Sequence, residues 1–299
     1  MYATCWGFII GFYCYGVEFL IVIAFIMVGW LLHRFLPVTV AYWSMISVCY
    51  SLLMVRSLYG FFMENNGDLN AKTSMMMSYI KIHMVAQNMR DAAVRNKGGE
   101  NNLSKRELYM SDPFLKGRLS LFEWLPYFFF CATTAWGPPI EYREFDDFIN
   151  LRRNYGKMPP GKQLLPGFVR MGQALLCVAF SVSLGLVVSM HELTKPEFGE
   201  LPFWYRVGYL ILCASKAQTT LFCGFMFMET FMIVSGLSYS VDENGTEEFN
   251  TFKQVRVLKI NFNTKVMDTT QNWNIQVHHW LKNYLLSRMR DRSLPRGAF

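Results

Sequence analysis

Long blocks of apolar residues alternate with shorter polar segments along this chain. Apolar runs occupy residues 3–32, 38–62, 164–190 and 204–237. A helix needs about 20 residues to cross about 30 Å of hydrocarbon, and every one of these runs is long enough. The pattern therefore predicts an all-α, polytopic integral membrane helix bundle with about six to eight membrane-embedded helices.

The first apolar run allows two interpretations. Residues 3–32 form either one tilted helix or two short helices with a break near Gly16, because the run is longer than one perpendicular span needs. Glu18 lies inside this run, and a carboxylate that faces lipid is costly. We expect Glu18 to face protein or a wet cavity, or to lie at an interface if the run breaks there.

The segments between the long runs are more polar. Residues 72–90 carry apolar side chains along one helical face, which predicts a helix packed inside the bundle or lying at the interface. Residues 91–118 are predicted to be a loop. Residues 119–136 form an aromatic run that Pro126 is expected to kink, and residues 141–153 predict a short helix along the membrane.

Composition supports a membrane protein. Hydrophobic residues make up 52% of the chain and charged residues 17%, whereas soluble domains carry about a quarter charged residues. The formal charge of +7 comes from basic residues beside apolar runs, a pattern that fits anionic lipid better than nucleic acid. We therefore expect no nucleic-acid partner. The seven cysteines lie in apolar stretches without metal-ligand spacing, so we expect no metal site either.

Two ionisable residues lie deep in the apolar run of residues 204–237. Lys216 and Glu229 are too far from the ends of that run to reach water easily, which makes them candidate substrate-binding residues. An internal ion pair that fixes the register of the helices is an alternative of equal weight.

Residues 273–281, with the sequence WNIQVHHWL, place an amide, two imidazoles and two indoles close together. At about 100° per residue, Trp273 and Trp280 share a helical face, while Asn274 and His278 run along its flank. One interpretation is an interfacial helix that Asn274 caps and whose histidines are solvated. The other is a polar edge that faces a binding site.

Four segments, in the expected order, resemble the membrane-bound O-acyltransferases, particularly their lysophospholipid acyltransferase branch. They are KIHMVAQNMRD at 81–91, the SLFEW, GP and FDDFI elements within 120–149, SGL followed by DENG within 235–245, and WNIQ followed by WLK within 273–282. The last is close to the Trp-Asn motif of the family and is the most specific of the four. The resemblance covers roughly residues 70–285.

The resemblance implies transfer of a fatty acyl group from acyl-CoA to a lysophospholipid hydroxyl, in phospholipid remodelling at the endoplasmic reticulum membrane. Acyl-CoA would be a co-substrate, and no bound cofactor is expected. Asn274 corresponds to the catalytic Asn of the family. A neutral imidazole suits the general base of such a reaction, and an amide can hold the carbonyl or the hydroxyl. The candidate substrate-binding residues are Trp273, His278, Trp280, Lys216 and Glu229.

The sequence also departs from the family pattern. The catalytic His of the family lies in a Trp-His-Gly stretch that this sequence lacks, and Arg90 and Ala92 replace the His and Gly of the His-Asp-Gly turn. We therefore expect residues 1–290 to form a single, incomplete acyltransferase-like domain, followed by a basic tail at 291–299. We expect this chain to be inactive by itself. His278, one helical turn beyond Asn274, is the local candidate for a substitute base.

Two other functions stay open from the residues. One is a non-catalytic membrane protein that binds lipid or acts as a scaffold. The other is a small transporter, which Lys216 and Glu229 at membrane depth suggest.

Overall fold

The computed structural model describes residues 2–63, 71–134, 137–242 and 244–290. The turn predicted at 64–68 and the basic tail predicted at 291–299 lie outside these residues. The chain divides into two compact units, Met1–Met158 with Gln276–Phe299, and Pro159–Ile275. The single domain predicted over 1–290 stays a prediction.

Helices are the main regular structure of the described residues, which otherwise form a short hairpin, one isolated bridge and irregular connections; this confirms the predicted all-α fold. By length and composition, four described stretches could cross a membrane, fewer than the six to eight embedded helices expected. They are Tyr2–Phe35, Val38–Phe62, Leu164–Val187 and Phe203–Val234.

The first unit contains both long and short helices. They are α1 (Tyr2–Tyr15), α2 (Phe19–Phe35), α3 (Val38–Met63), α4 (Lys72–Arg95), α5 (Lys105–Ser111), α6 (Leu121–Phe128), α7 (Tyr142–Ile149) and, after the second unit, α13 (Ser287–Arg290). A π-helical turn at Leu281–Leu286 precedes α13.

The first apolar run is broken, as one of its two interpretations predicts. Gly16 has a φ of +54°, a left-handed conformation that glycine adopts without steric cost, and α1 ends just before it. Glu18 lies at the break, where it accepts hydrogen bonds from Arg56 Nη2 and from the backbone N–H of Ala71, each at 3.0 Å. These two donors explain how a carboxylate is accommodated beside an apolar helix.

Helix α4 is buried along most of its length and packs against α3, so it lies inside the unit rather than on its surface. It continues to Arg95, beyond the predicted end at residue 90. The loop predicted at 91–118 is therefore partly wrong, because this segment also contains α5. Ser104 and Glu107 form a capping box at the start of α5, a sequence signal that predicts a helix there.

The aromatic run after residue 119 forms only a short helix. Helix α6 contains Pro126 and ends at Phe128, and the chain continues without regular structure. Lys81 of α4 donates from Nζ to the carbonyl of Tyr127 at 3.1 Å and to Thr133 Oγ1 at 2.9 Å. The buried amino group of Lys81 thus satisfies one of the carbonyls that the end of α6 leaves without a helical partner.

The second unit is built on two long helices that pack along each other. Its elements are α8 (Leu164–Val187), α9 (Phe203–Val234), β1 (Ser240–Val241), β2 (Glu247–Glu248), α10 (Val257–Asn261) and α11 (Val266–Asn272). Helix α12 (Ile275–Trp280) begins at the last residue of this unit. Phe222 and Met226 of α9 form a core with Val255 and Ile260, and Trp273 packs against it.

The close approach of α1 to the irregular segment gives a test of the packing. A Cβ on Gly7 would lie 1.9 Å from the carbonyl oxygen of Phe129, whereas a Cβ on Gly172 of α8 would meet no atom within 4 Å. We expect Gly7→Ala to lower the free energy of unfolding by about 1–3 kcal/mol. Gly172→Ala should leave it unchanged or raise it by up to about 1 kcal/mol. Unfolding in mixed micelles measures both, and equal effects would contradict the packing of Gly7 on Phe129.

Candidate functional site

The backbone turns sharply at Asn274. Helix α11 ends at Asn272, Trp273 is extended and forms an antiparallel bridge with Val255, and Asn274 has a φ of +47°. Asparagine enters this left-handed region more readily than most residues. The prediction that 273–281 forms one helix with Trp273 on its apolar face is therefore wrong.

A short two-stranded ladder holds the residues on both sides of Asn274. The backbone N–H of Arg256 donates to the carbonyl of Asn272 at 3.1 Å, and that of Ile275 donates to the carbonyl of Gln254 at 3.0 Å. With the bridge between Val255 and Trp273, these bonds fix the chain before and after Asn274.

Glu229 of α9 holds the other strand of this ladder. Its Oε1 accepts the backbone N–H groups of Gln254 at 2.7 Å and Val255 at 3.0 Å, and its Oε2 lies 2.6 Å from Arg170 Nη2. Because the Glu229 side chain is only 5% exposed, water cannot stabilise its charge, and Arg170 balances that charge instead. An internal ion pair exists, as one interpretation predicts, and its partner is Arg170 rather than Lys216. Substrate binding by Glu229 stays a prediction.

Lys216 lies elsewhere on α9. Its Nζ is 3.5 Å from the carbonyl of Val188, directly after the end of α8. A cation there interacts favourably with the negative end of the helix dipole. Thirteen residues separate Lys216 from Glu229 on one helix, about 20 Å, so they cannot pair.

The side-chain oxygen of Asn274 is buried and has no hydrogen-bond partner among the described residues. It therefore does not cap α12, the role that the alternative interpretation assigns to it. A buried acceptor left unpaired costs about 1–3 kcal/mol, and such groups are rare in native structures. Among the described residues this oxygen is therefore free to accept a hydrogen bond from a bound ligand.

Trp273 packs into the core of the second unit, and substrate binding by this residue stays a prediction. Its indole lies against the rings of Phe222 and Phe225 of α9, at centroid distances of 5.6 and 5.3 Å. The packing of this indole into the core of the second unit helps to fix the position of Asn274, the next residue in the chain.

The C-terminal segment of the first unit, which begins at Gln276, is held within that unit by three side chains spaced four residues apart. Trp280 donates from Nε1 to His83 Nδ1 at 3.0 Å, and the hydroxyl of Tyr284 donates to Glu141 Oε2 at 2.6 Å. Arg288 forms two hydrogen bonds with the carboxylate of Asp91, at 2.9 and 2.6 Å. We call these six residues the docking cluster.

Charge is balanced around the docking cluster. Arg106 Nη2 lies 2.5 Å from Glu141 Oε1, and Arg288 Nη2 lies 3.2 Å from Glu107 Oε1. Burial, reinforced by the Glu141 carboxylate, raises the pKa of Tyr284, so its hydroxyl stays protonated and can donate.

The histidine in the docking cluster is neutral. His83 belongs to α4, which is not among the four candidate spans. Burial, followed by the positive charge of Arg288, lowers the pKa of His83 to about 4. Because its Nδ1 accepts from Trp280, the proton of the neutral ring lies on Nε2. His278 is half-buried, its ring lies 6.3 Å from that of His279, and it belongs to the other unit than Asn274.

Comparison with known families gives the context for this geometry. The model of the membrane-bound O-acyltransferase family matches residues 19–297, which is most of the chain. The chain belongs to that family.

Curated relatives are similar over most of this chain. Lysophospholipid acyltransferase 2 of Arabidopsis thaliana is 23% identical over 287 residues, 90% of this chain and 60% of the relative. The lysophospholipid acyltransferase of Schizosaccharomyces pombe is 22% identical over 255 residues, 83% of this chain and 48% of the relative. This member of the family therefore spans about half the length of these relatives.

Sequence reasoning found Asn274 and Glu229 but missed their supports. Arg170 is the one charged residue within the apolar sequence of residues 164–187. A single cation in an apolar run needs a partner, and this could have identified Arg170 as the partner of Glu229. Gln254 and Val255 contribute backbone groups, which no side-chain pattern identifies. Tyr284 and Glu141 lie 143 residues apart, and nothing in their spacing links them.

The ion pair beneath the ladder can be tested by a double-mutant cycle. Arg170→Met and Glu229→Gln should each lower the free energy of unfolding by about 3 kcal/mol or more, because each leaves a buried group without its partner. The double variant should cost at least about 1 kcal/mol less than the sum of the two. Glu200→Gln, at an exposed position, is the control. Additive effects in reversible unfolding would show that the pair is not coupled.

The docking cluster gives a second test. Tyr284→Phe keeps the buried ring but removes a hydroxyl bonded to Glu141, and should cost about 1–3 kcal/mol of stability. Tyr13→Phe, at a residue that is 90% exposed, should change stability by less than about 0.5 kcal/mol. Thermal unfolding in detergent compares them. Indistinguishable midpoints would mean that the hydroxyl of Tyr284 contributes nothing to docking.

Proposed function

We propose that this chain is the acyl-transfer unit of a multi-pass membrane enzyme, located in the endoplasmic reticulum, that moves a fatty acyl group from acyl-CoA to the free hydroxyl of a lysophospholipid. Membership of the family and the names of its relatives support the reaction class. The observation that carries the proposal is the buried amide oxygen of Asn274, which has no partner among the described residues and is held by the ladder at the position of the Trp-Asn motif.

Asn274 would bind the reacting groups directly. The acceptor hydroxyl attacks the thioester carbonyl, the carbon–sulfur bond breaks, and the thiol of coenzyme A leaves with the proton that a base removed from the hydroxyl. The amide oxygen of Asn274 can accept from the hydroxyl and thereby orient it, and its N–H₂ can donate to the carbonyl. One well-placed donor of this kind contributes about 3–4 kcal/mol to such a reaction.

The base is the component that this sequence does not supply in the family pattern, since it contains no Trp-His-Gly stretch. His83 cannot serve as it stands, because Trp280 donates to its Nδ1 and burial keeps the ring among packed side chains. We therefore propose that the 299-residue chain by itself binds substrate without turnover.

The other candidate residues divide into two groups. Trp273 and Glu229 position Asn274, through the core and through the ladder, and Trp280 anchors the chain on α4. His278 and Lys216 are retained as candidate substrate contacts.

Non-catalytic lipid binding is the second candidate function. The lack of a Trp-His-Gly stretch favours it, because the family's base would then be missing while Asn274 could still hold a lipid hydroxyl. Transport keeps only Lys216 as its motivation, since Arg170 balances the charge of Glu229.

Acyl transfer and lipid binding by Asn274 variants test the proposal. The chain in nanodiscs should bind lysophospholipid but form no phospholipid from labelled acyl-CoA. Asn274→Gly removes the amide yet permits the left-handed backbone, so binding should weaken about tenfold, the equivalent of one good hydrogen bond. His191→Gln, at an exposed residue, is the control.

The outcomes separate the parts of the proposal. Absence of lysophospholipid binding would contradict the proposed substrate. Phospholipid product formed by the parent chain would contradict the predicted inactivity. If that product disappears in Asn274→Gly but persists in His278→Gln, it would support the role of Asn274 in acyl transfer. Product that persists in Asn274→Gly would remove Asn274 from the mechanism, and loss only in His278→Gln would identify the local base.

A further inference from the structure

A cavity of about 350 Å³ lies in the first unit, between α1, α6 and α7. Of the described residues that line it, two are acidic and none is basic. The acidic residues are Glu123 and Asp146, and the aromatic lining consists of Phe122, Phe130, Tyr142 and Phe145. None of these residues has a part in the proposed acyl transfer.

One wall of the cavity carries an unpartnered hydroxyl. Tyr142 is only 4% exposed and packs its ring against Phe114, Tyr127 and Phe145, yet its hydroxyl makes no hydrogen bond with any described residue. Because Tyr142 lines the cavity, this hydroxyl is available to hydrogen-bond a ligand that enters it. Burial, followed by the Glu123 and Asp146 carboxylates, raises the pKa of Tyr142, so the hydroxyl stays protonated.

The two carboxylates differ in how their charge is balanced. Asp146 Oδ2 lies 2.5 Å from Arg152 Nη1, and its Oδ1 accepts from Asn150 Nδ2 at 2.8 Å. Glu123 Oε2 accepts from the backbone N–H and the hydroxyl of Ser120, both at 2.7 Å, and no described cation pairs with it. Glu123 therefore gives the cavity an uncompensated negative charge.

We propose that this cavity binds the alkylammonium group of a membrane phospholipid headgroup. Aromatic faces attract cations within about 6 Å, and rings combined with a carboxylate suit a quaternary ammonium ion. An anion would be repelled by Glu123. An acyl chain would leave the charge of Glu123 without a counter-ion and the hydroxyl of Tyr142 without a hydrogen-bond partner. The volume falls in the usual range of small-molecule sites, about 300–1,000 Å³.

The position of the cavity favours a lipid over a free amine as the source. Ala3 and Thr4 of its lining belong to a candidate membrane span, whereas α6 and α7 lie outside the four candidate spans. The cavity thus lies where a span meets non-spanning helices, and lipid headgroups occupy that level. The inference does not depend on acyl transfer.

Choline and its neutral isostere 3,3-dimethylbutan-1-ol are the probes. With the chain in phosphatidylglycerol nanodiscs and empty nanodiscs subtracted, choline should bind saturably and at least about tenfold more tightly than the alcohol. In phosphatidylcholine nanodiscs the lipid headgroup should compete, and bound choline should fall. Unchanged choline binding there would overturn the lipid as the source and assign the site to free amines.

Variants connect the binding to the cavity. Glu123→Gln keeps an oxygen for Ser120 but removes the charge, and should weaken choline binding about tenfold. Tyr142→Phe keeps the ring and should weaken it about threefold. Glu197→Gln, at an exposed residue of the other unit, should bind as the parent chain does.

Three results would overturn the proposal: equal binding of choline and the alcohol, no saturable binding in phosphatidylglycerol nanodiscs, or unchanged binding in both Glu123→Gln and Tyr142→Phe. Because each readout is a binding constant, failure here is distinct from failure of the proposed acyl transfer.

Discussion

The geometry around Asn274 depends on one buried carboxylate. Glu229 lies in a helix that is apolar enough to cross a membrane, where an unpaired charge would cost several kcal/mol. It is accommodated because Arg170 balances its charge and two backbone N–H groups bond to it. The same bonds fix the strand at residues 254–256, which pairs with the strand that carries Asn274. Satisfying the charge and positioning the amide are therefore one structural requirement.

The first unit follows the same physical logic with different residues. Tyr284 and Arg288 bring polar groups into a buried region. There the hydroxyl of Tyr284 donates to Glu141, and the guanidinium of Arg288 donates to Asp91. Each member needs its partner, since a half-satisfied buried network is less stable than an apolar one. Such a network makes the position of the chain after Asn274 specific within its own unit, which apolar packing alone would do less well.

Much of the fold could be predicted from residue patterns. Hydropathy identified the four candidate spans, Gly16 marked a break, and the Trp-Asn motif singled out Asn274. One error came from a local pattern that was incomplete. The segment 91–118 is polar, but the capping signal of Ser104 and Glu107 outweighs that polarity, and a helix forms.

The backbone at Trp273 and Asn274 could not be predicted in the same way. The spacing of residues 273–281 is compatible with a helix, and local periodicity favours one. Pairing with residues 254–256 overrides that preference, because the ladder bonds and the packing of the Trp273 indole form only in the folded unit. Long-range partners of buried polar groups, such as Arg170 for Glu229, have no signature in spacing along the chain.

The most direct test is a structure of the chain in nanodiscs, determined by electron cryo-microscopy with lysophospholipid bound. The account predicts that an oxygen of the lipid lies within hydrogen-bonding distance of the Asn274 amide, while Glu229 still bonds to Gln254 and Val255. Lipid density elsewhere, with the Asn274 amide turned into bulk water or bonded to the protein, would contradict it.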